Sequence, residues 1–357
     1  MRLALEKPEF VNLASRPLAA GVALLLGAEA ILLLLGLLIP MRGLLRGWLV
    51  GFAIWSTIPI GSMTLLLIHR LTGGEWGVAA APVLRPAAAM TAVAALAFLP
   101  ILVALPEIYP WAADPSVVPA DVARWYLNAP SFWIRAVAAL GGWSFLGIVF
   151  AAGMGSRLQA GLGLAFFGLT ISLVAVDWYL SVEPHYEATA FAAMIAIQQL
   201  LAALALLAVM APPDLKDQVA GDVGGLMIAA LLGVVYLEYM TFAIAWYGNL
   251  AEKADWFLKR GTTGWIIILV LAITIGAAIP FAMLLKRANR FSRRALRLAG
   301  TLILFGSALH ISWLLVPAFD DQTGVIAGAC ASLVVLAAVS LLIGPALASL
   351  AEARHAE

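Results

Sequence analysis

The sequence predicts an all-α integral membrane protein of about ten transmembrane helices. Apolar residues make up 64% of the chain and charged residues only 11%, and mean hydropathy is +1.01. A soluble domain keeps about a quarter of its residues charged. The apolar residues also fall in runs of about 20, the length a helix needs to cross a hydrocarbon core of about 30 Å.

In chain order, residues 1–16 form a short segment of mixed charge without an apolar run, expected to be cytoplasmic or interfacial rather than a cleavable signal. A polytopic membrane domain follows over 17–350. Its runs lie at 17–40, 47–68, 87–108, 131–153, 159–182, 189–211, 224–247, 263–285, 297–319 and 324–350. Residues 351–357 form a tail. The 41–46 turn is among the tightest. The 107–130 stretch, rich in Pro and aromatic residues, is the longest outside the spans. It is expected to lie along the interface as a belt or short helices, or to join a subunit contact. No soluble domain and no internal repeat is evident.

Lysines and arginines orient the chain. One side carries fourteen of them: Arg2, Lys7, Arg16, Arg70, Arg85, Arg157, Lys216, Lys286, Arg287, Arg290, Arg293, Arg294, Arg297 and Arg354. The other carries six: Arg42, Arg46, Arg124, Lys253, Lys259 and Arg260. Both termini are therefore expected to be cytoplasmic. The run "KRANRFSRRALR" (286–297) reads first as an anchor on anionic headgroups, second as a docking site for a cytoplasmic protein. A net charge of +1 gives no reason to expect nucleic acid as a partner. The single cysteine, Cys330, rules out an intramolecular disulfide and a thiolate-held cluster.

A charge inside a span costs at least ~2.5–3.5 kcal/mol on insertion scales, so every intramembrane ionisable residue is a functional candidate. Glu29 lies in the middle of the first run, where it serves helix contact, a partner subunit or a proton. Arg135 and Asp177 lie at similar depth near the outer ends of their spans and can form a neutral ion pair. Glu238 lies between Tyr236 and Tyr239, which could share its proton; the competing reading is a packing acid. His310 shares a helix face with Ser307 and Trp313, either as a satisfied core histidine or as a relay. With only His69, His185, His310 and His355 present, no two histidines match in depth to hold a transmembrane haem. Glu183, His185 and Glu187 form a polar cluster at the outer mouth, expected to face water or a partner and weak as a metal site.

Five motifs then occur in one order: "IPIGSMTLLLIHRLTGGEWG" (58–77), "LPEIYPWA" (105–112), "YLNAPSFWIRA" (126–136), "DWYLSVEPHYEATAF" (177–191) and "YMTFAIAWYGNLAEKADWFLKR" (239–260). Together they resemble the F subunit of alternative complex III, the bacterial quinol:cytochrome c oxidoreductase. That subunit belongs to the polysulfide-reductase-like (NrfD-like) membrane subunits. The likeness runs from about residue 50 to 290. Within it His69 matches a histidine of the family, Asp177, Glu183 and His185 match its Asp-Trp…Pro-His pattern, and Trp246 to Asn249 match its Trp-Tyr-Gly-Asn. Arg70 stands where a second histidine is frequent, and "LAEKA", with Glu252 as its acid, stands for the usual "IPEET".

The resemblance implies two four-helix bundles plus peripheral helices in a bacterial cytoplasmic membrane. The partners it implies are an NrfD-like paralogue, an iron–sulfur protein and a cytochrome c. Quinol, haem c and iron–sulfur clusters would belong to those partners, with no cofactor on this chain. The function expected is a structural and proton-conducting subunit, with His69, Asp177, Glu238, Tyr236, Tyr239 and His310 along two half-channels separated by an apolar gap. The alternatives are a proton-coupled secondary transporter and a purely structural scaffold.

Overall fold

The computed structural model describes residues 40–212, 215–249 and 251–353. Nine helices among them are long and apolar enough to cross a membrane: α1 (Met41–Thr72), α2 (Glu75–Val103), α3 (Ala129–Ala151), α4 (Arg157–Val182), α5 (Phe191–Val209), α6 (Asp217–Gly248), α7 (Thr263–Leu285), α8 (Arg293–Ala318) and α9 (Gln322–Pro345). The chain is an all-α, multi-pass membrane protein, with no strand among the described residues. The run 17–40, but for Pro40 at its end, lies outside them, and Glu29 with it.

Two boundaries differ from the sequence reading. Residues 41–46 are the first turns of α1 rather than a turn: "MRGLLRG" has no proline after Pro40, and its glycines, Gly43 and Gly47, are held in the helix by close packing against Val325, Gly328 and Ala329. The chain reverses between α1 and α2 on Gly73 and Gly74 alone, at φ 72° and 103°, conformations that cost glycine little. α2 therefore starts at Glu75, and Arg85 lies inside a helix rather than in a loop.

Local chemistry sets the other ends. Asn128 accepts from the Ser131 amide at the start of α3. Ser156 and Gln159 form a reciprocal capping box at the start of α4. Asn249 takes a left-handed conformation after α6. Residues 107–128 are a chain of short helical turns, as expected for that stretch. A further short helix, Ala251–Lys259, joins α6 to α7.

Helices α1–α4 pack into one four-helix group and α5–α8 into a second, with α9 laid against α1. α1 is buried along most of its length because α5, α8 and α9 also touch it; α7 is the least buried span and the most apolar. Lipid tails offer no hydrophobic drive for helix association, so contact relies on close packing and interhelical hydrogen bonds. Trp143 Nε1 donates to Thr170 Oγ1 at 2.9 Å, and Ser144 Oγ donates to the Thr91 carbonyl at 3.1 Å, within the first group. Trp55 Nε1 donates to Ser340 Oγ at 3.0 Å and holds α9 on α1.

Both groups contain a π-helical turn. The one at Thr274–Ala278 in α7 precedes Pro280, whose ring removes an N–H and crowds the carbonyl four residues earlier, at Gly276. There α7 meets α8 backbone to backbone, Gly276 against Gly306, and a Cβ on Gly306 would overlap the Gly276 backbone. Gly168, on α4, faces open space. Gly306→Ala should therefore lower thermal stability in detergent, by about 1–3 kcal/mol for overpacking. Gly168→Ala should leave stability unchanged or raise it through better helix propensity. Equal melting temperatures for the two variants would show that the α7–α8 contact has slack.

Candidate functional site

Asp177 sits in the second π-helical turn, Ala175–Tyr179, near the C-terminal end of α4, the end expected to lie on the outer side. The widened turn sends neighbouring side chains in different directions. Trp178 enters the aromatic core, its ring 4.6 Å from Phe98 and 5.5 Å from Phe52 between centroids. Asp177 meets Arg135 of α3: Nε donates to Oδ2 at 2.7 Å and Nη2 to Oδ1 at 2.9 Å. Nη2 also donates to the Tyr126 carbonyl at 3.0 Å, and the guanidinium lies over the Tyr126 ring at 3.9 Å. Burial, with the Asp177 charge beside it, pushes the Tyr126 phenol up from its usual range. Asp177 is 2% exposed. This bidentate pair ties α3, α4 and the 107–128 segment together.

Of the outer-mouth cluster, His185 and Glu187 are exposed as expected. Glu183 is not facing water. It accepts from Arg260 Nη2 at 2.5 Å and from Lys259 Nζ at 3.0 Å, with its side chain only 12% exposed. The local reason is the short helix 251–259, which delivers Arg260 beneath the 183–187 loop. Arg260 Nη1 donates to the Trp256 carbonyl at 2.9 Å and Nη2 to the Leu314 carbonyl at 2.7 Å, and the guanidinium lies 3.6 Å over the Trp256 ring. Trp256 in turn stacks on Tyr186, 4.3 Å between centroids. Burial pulls the Arg260 guanidinium down from its usual range, and the Glu183 carboxylate pushes it back up.

The second group holds the other acid. Glu238, about 15 Å from the outer end of α6 at 1.5 Å per residue, faces His310 of α8. Its Oε1 lies 2.7 Å from His310 Nε2, too far out of line for a good hydrogen bond. On the far side of the ring, Gln198 Nε2 of α5 lies 3.1 Å from His310 Nδ1. With Nδ1 accepting from the amide, the neutral ring carries its proton on Nε2, toward Glu238; turning the Gln198 amide over would reverse that choice. His310 is also stacked on Trp313, 6.0 Å between centroids. Glu238 Oε1, His310 Nε2 and Gln198 Oε1 are all buried without a well-formed partner.

These three side chains line a cavity of about 460 Å³ between α5, α6, α7 and α8. Its walls run from Leu231, Gly276 and Gly306 near mid-membrane to Phe257 and Arg260 at the outer mouth. Tyr239 lines it. Tyr236 does not: two residues before Glu238 it lies about 200° round the helix, and it is exposed. His69 lines a different cavity, in the first group, which shares no lining residue with this one. The sequence-predicted proton residues therefore divide into three separate places, Asp177 with Arg135, Glu238 with His310 and Tyr239, and His69 alone, with Tyr236 outside all three.

Sequence reasoning missed Arg260 and Gln198. Arg260 left a signal as one of few basic residues on the side otherwise poor in them. Gln198, in the pair "IQQLL" within an apolar run, had one too, since a buried amide in lipid needs partners. Among the described residues no three His, Cys, Asp or Glu side chains are grouped to hold a metal ion. The sequence matches no family model and no curated protein.

Removing one member of the Arg135–Asp177 pair strands a buried charge. Asp177→Ala should cost about 3–5 kcal/mol of stability, whereas the apolar double variant Arg135→Met/Asp177→Leu should recover most of it. Thermal unfolding in detergent measures both. A double variant no more stable than Asp177→Ala would show that the pair does more than cancel charge.

Proposed function

We propose that this chain is a membrane subunit of a quinol-oxidising respiratory complex of the alternative complex III kind, in a bacterial cytoplasmic membrane, and that it moves protons through Glu238 and His310. The observation that carries the reading is the Glu238–His310 contact, well inside the span, in the wall of a cavity that runs from Leu231, Gly276 and Gly306 to Phe257 and Arg260. With no added proton the pair carries one full negative charge; with one shared proton it is neutral. With the Gln198 amide donating to Nδ1, the ring's proton faces the carboxylate, and a side chain whose partners are incomplete can give or take a proton without first breaking a saturated network. The order of the five motifs and the two four-helix groups support the family assignment. Redox chemistry would reside in the partners: the paralogous membrane subunit, an iron–sulfur protein and a cytochrome c.

A secondary transporter is the second reading, favoured by the cavity itself, which is large enough for a small solute beside an ionisable pair. Purification in mild detergent separates the two: the complex predicts co-purifying haem- and iron–sulfur-containing subunits, the transporter none. Within the complex, Glu238→Gln should lower proton release coupled to quinol oxidation by about tenfold or more, with subunit composition unchanged. Tyr236→Phe should have no effect. Full coupled proton release in the intact Glu238→Gln complex would sink the proton role.

A further inference from the structure

The cavity that includes His69 lies at the inner end of the first four-helix group, the side expected to be cytoplasmic, and measures about 820 Å³. His69 itself is committed: Nε2 is 3.0 Å from the Gly74 carbonyl oxygen and the ring sits edge-on to Trp76, 5.2 Å between centroids. What the cavity offers a ligand is a basic rim and an apolar wall. Arg70 ends α1, Arg157 begins α4, and Arg85 projects from the α2 wall. Pro82, Pro86 and Phe150 form the apolar side.

Among the described residues no carboxylate lines this cavity. Glu75, the acid at the start of α2, pairs instead with Lys216 at 3.5 Å, both side chains well exposed. Arg157 makes a long contact, Nη2 donating to the Leu71 carbonyl at 3.4 Å, and Arg70 is exposed. Three other arginines meet carboxylates, Arg42 with Glu107 at 2.7 Å, Arg135 with Asp177 and Arg260 with Glu183, while Arg293 and Arg297 donate to the Pro212 and Val209 carbonyls. A basic rim lined by no carboxylate, over an apolar wall at headgroup level, suits an anion that has an apolar tail. Guanidinium groups match phosphate oxygens in fork geometry, and basic pockets between helices on the cytoplasmic side take lipid phosphates.

We propose that this cavity binds the phosphate of an anionic phospholipid, with Arg70 and Arg157 on the phosphate and an acyl chain against Pro82, Pro86 and Phe150. The inference does not depend on the proton-transfer reading, since it concerns a different cavity. It explains what the basic side chains at this end do beyond setting topology.

Native mass spectrometry of the full chain in mild detergent, titrated with phosphatidylglycerol or with phosphatidylcholine of the same chains, tests it. The wild type should retain phosphatidylglycerol roughly tenfold better. Arg70→Gln/Arg157→Gln should bring the two lipids close to parity. The control Arg287→Gln/Arg294→Gln, with the same loss of charge on the 286–297 run, should keep the preference. An equal drop in the control would overturn the site in favour of general leaflet attraction, as would a wild type that shows no preference. Millimolar inorganic phosphate or glycerol phosphate should not displace the lipid. Displacement by either would keep the phosphate chemistry but overturn the lipid as its source. If the glutamine variant does not fold, Arg70→Lys/Arg157→Lys keeps the charge but loses the fork, and should retain only part of the preference; full retention would overturn the assigned geometry.

Discussion

A charge inside a bilayer has no water to turn to, so it must find its partner within the protein. That constraint organises this fold more than any single helix contact does. The Arg135–Asp177 pair joins α3 to α4 and, through the Tyr126 carbonyl, fixes the irregular segment that covers the outer end of the first group. Glu183 does the equivalent for the second group, drawing Arg260 and the helix that carries it under the 183–187 loop, where Arg260 also reaches the Leu314 carbonyl of α8. Arg42 and Arg46 both reach Glu107, through its carboxylate and its carbonyl, and hold the start of α1 to the same outer layer. The outer surface is thus closed by arginines that the positive-inside pattern alone would have left without a purpose.

Two intramembrane acids, Asp177 buried and Glu238 half-buried, end up with opposite characters. Asp177 has both carboxylate oxygens engaged by one guanidinium, which has a carbonyl and an aromatic face besides. To release or accept a proton there, several good hydrogen bonds must break together, and a charge must be left alone in a dry place. Glu238 has a single close neighbour, badly aligned, and that neighbour is itself a proton carrier held by a neutral amide. Saturation argues for a structural role and incomplete satisfaction for a chemical one. The cavity beside Glu238 points the same way, since Asp177 lines neither of the two large cavities.

The sequence made the architecture legible to the extent that hydropathy could carry it. Apolar runs located all nine described spans, most to within a few residues, because a helix in lipid must be apolar along its whole length. The depth of Arg135 and Asp177 was enough to suggest that they meet. Where the reading fell short, the missing information was rotational or tertiary. Tyr236 and Tyr239 both lie within two residues of Glu238 in sequence, yet only Tyr239 shares its cavity, because the helix turns about 100° per residue. Glu183 looked like a loop acid because nothing in its own segment reveals a basic residue arriving from 77 positions away. His69 and His310 looked like two ends of one path until the helices sorted them into different groups.

The position of the Glu238–His310 pair along the bilayer is also informative. The cavity extends past it both ways, to Phe257 and Arg260 on one side and to Leu231, Gly276 and Gly306 on the other; inward of those the second group closes on small residues, with Gly300 pressed against the Ala205 carbonyl and Ala208. On the proton-transfer proposal, a proton taken up by the pair passes inward only when that layer parts. α7 is the element best placed to part it. It is the least buried span, a π-helical turn widens it at Thr274–Ala278, and it touches α8 there through two glycines rather than through interlocked side chains. A helix held that way can shift without unpacking a core, and Gly306 lies one turn before His310 on α8. A shift of α7 against α8 would therefore move part of the wall of the cavity that the histidine lines. Alternating access for a proton then needs no moving domain, only a helix whose contact with the site is made of backbone.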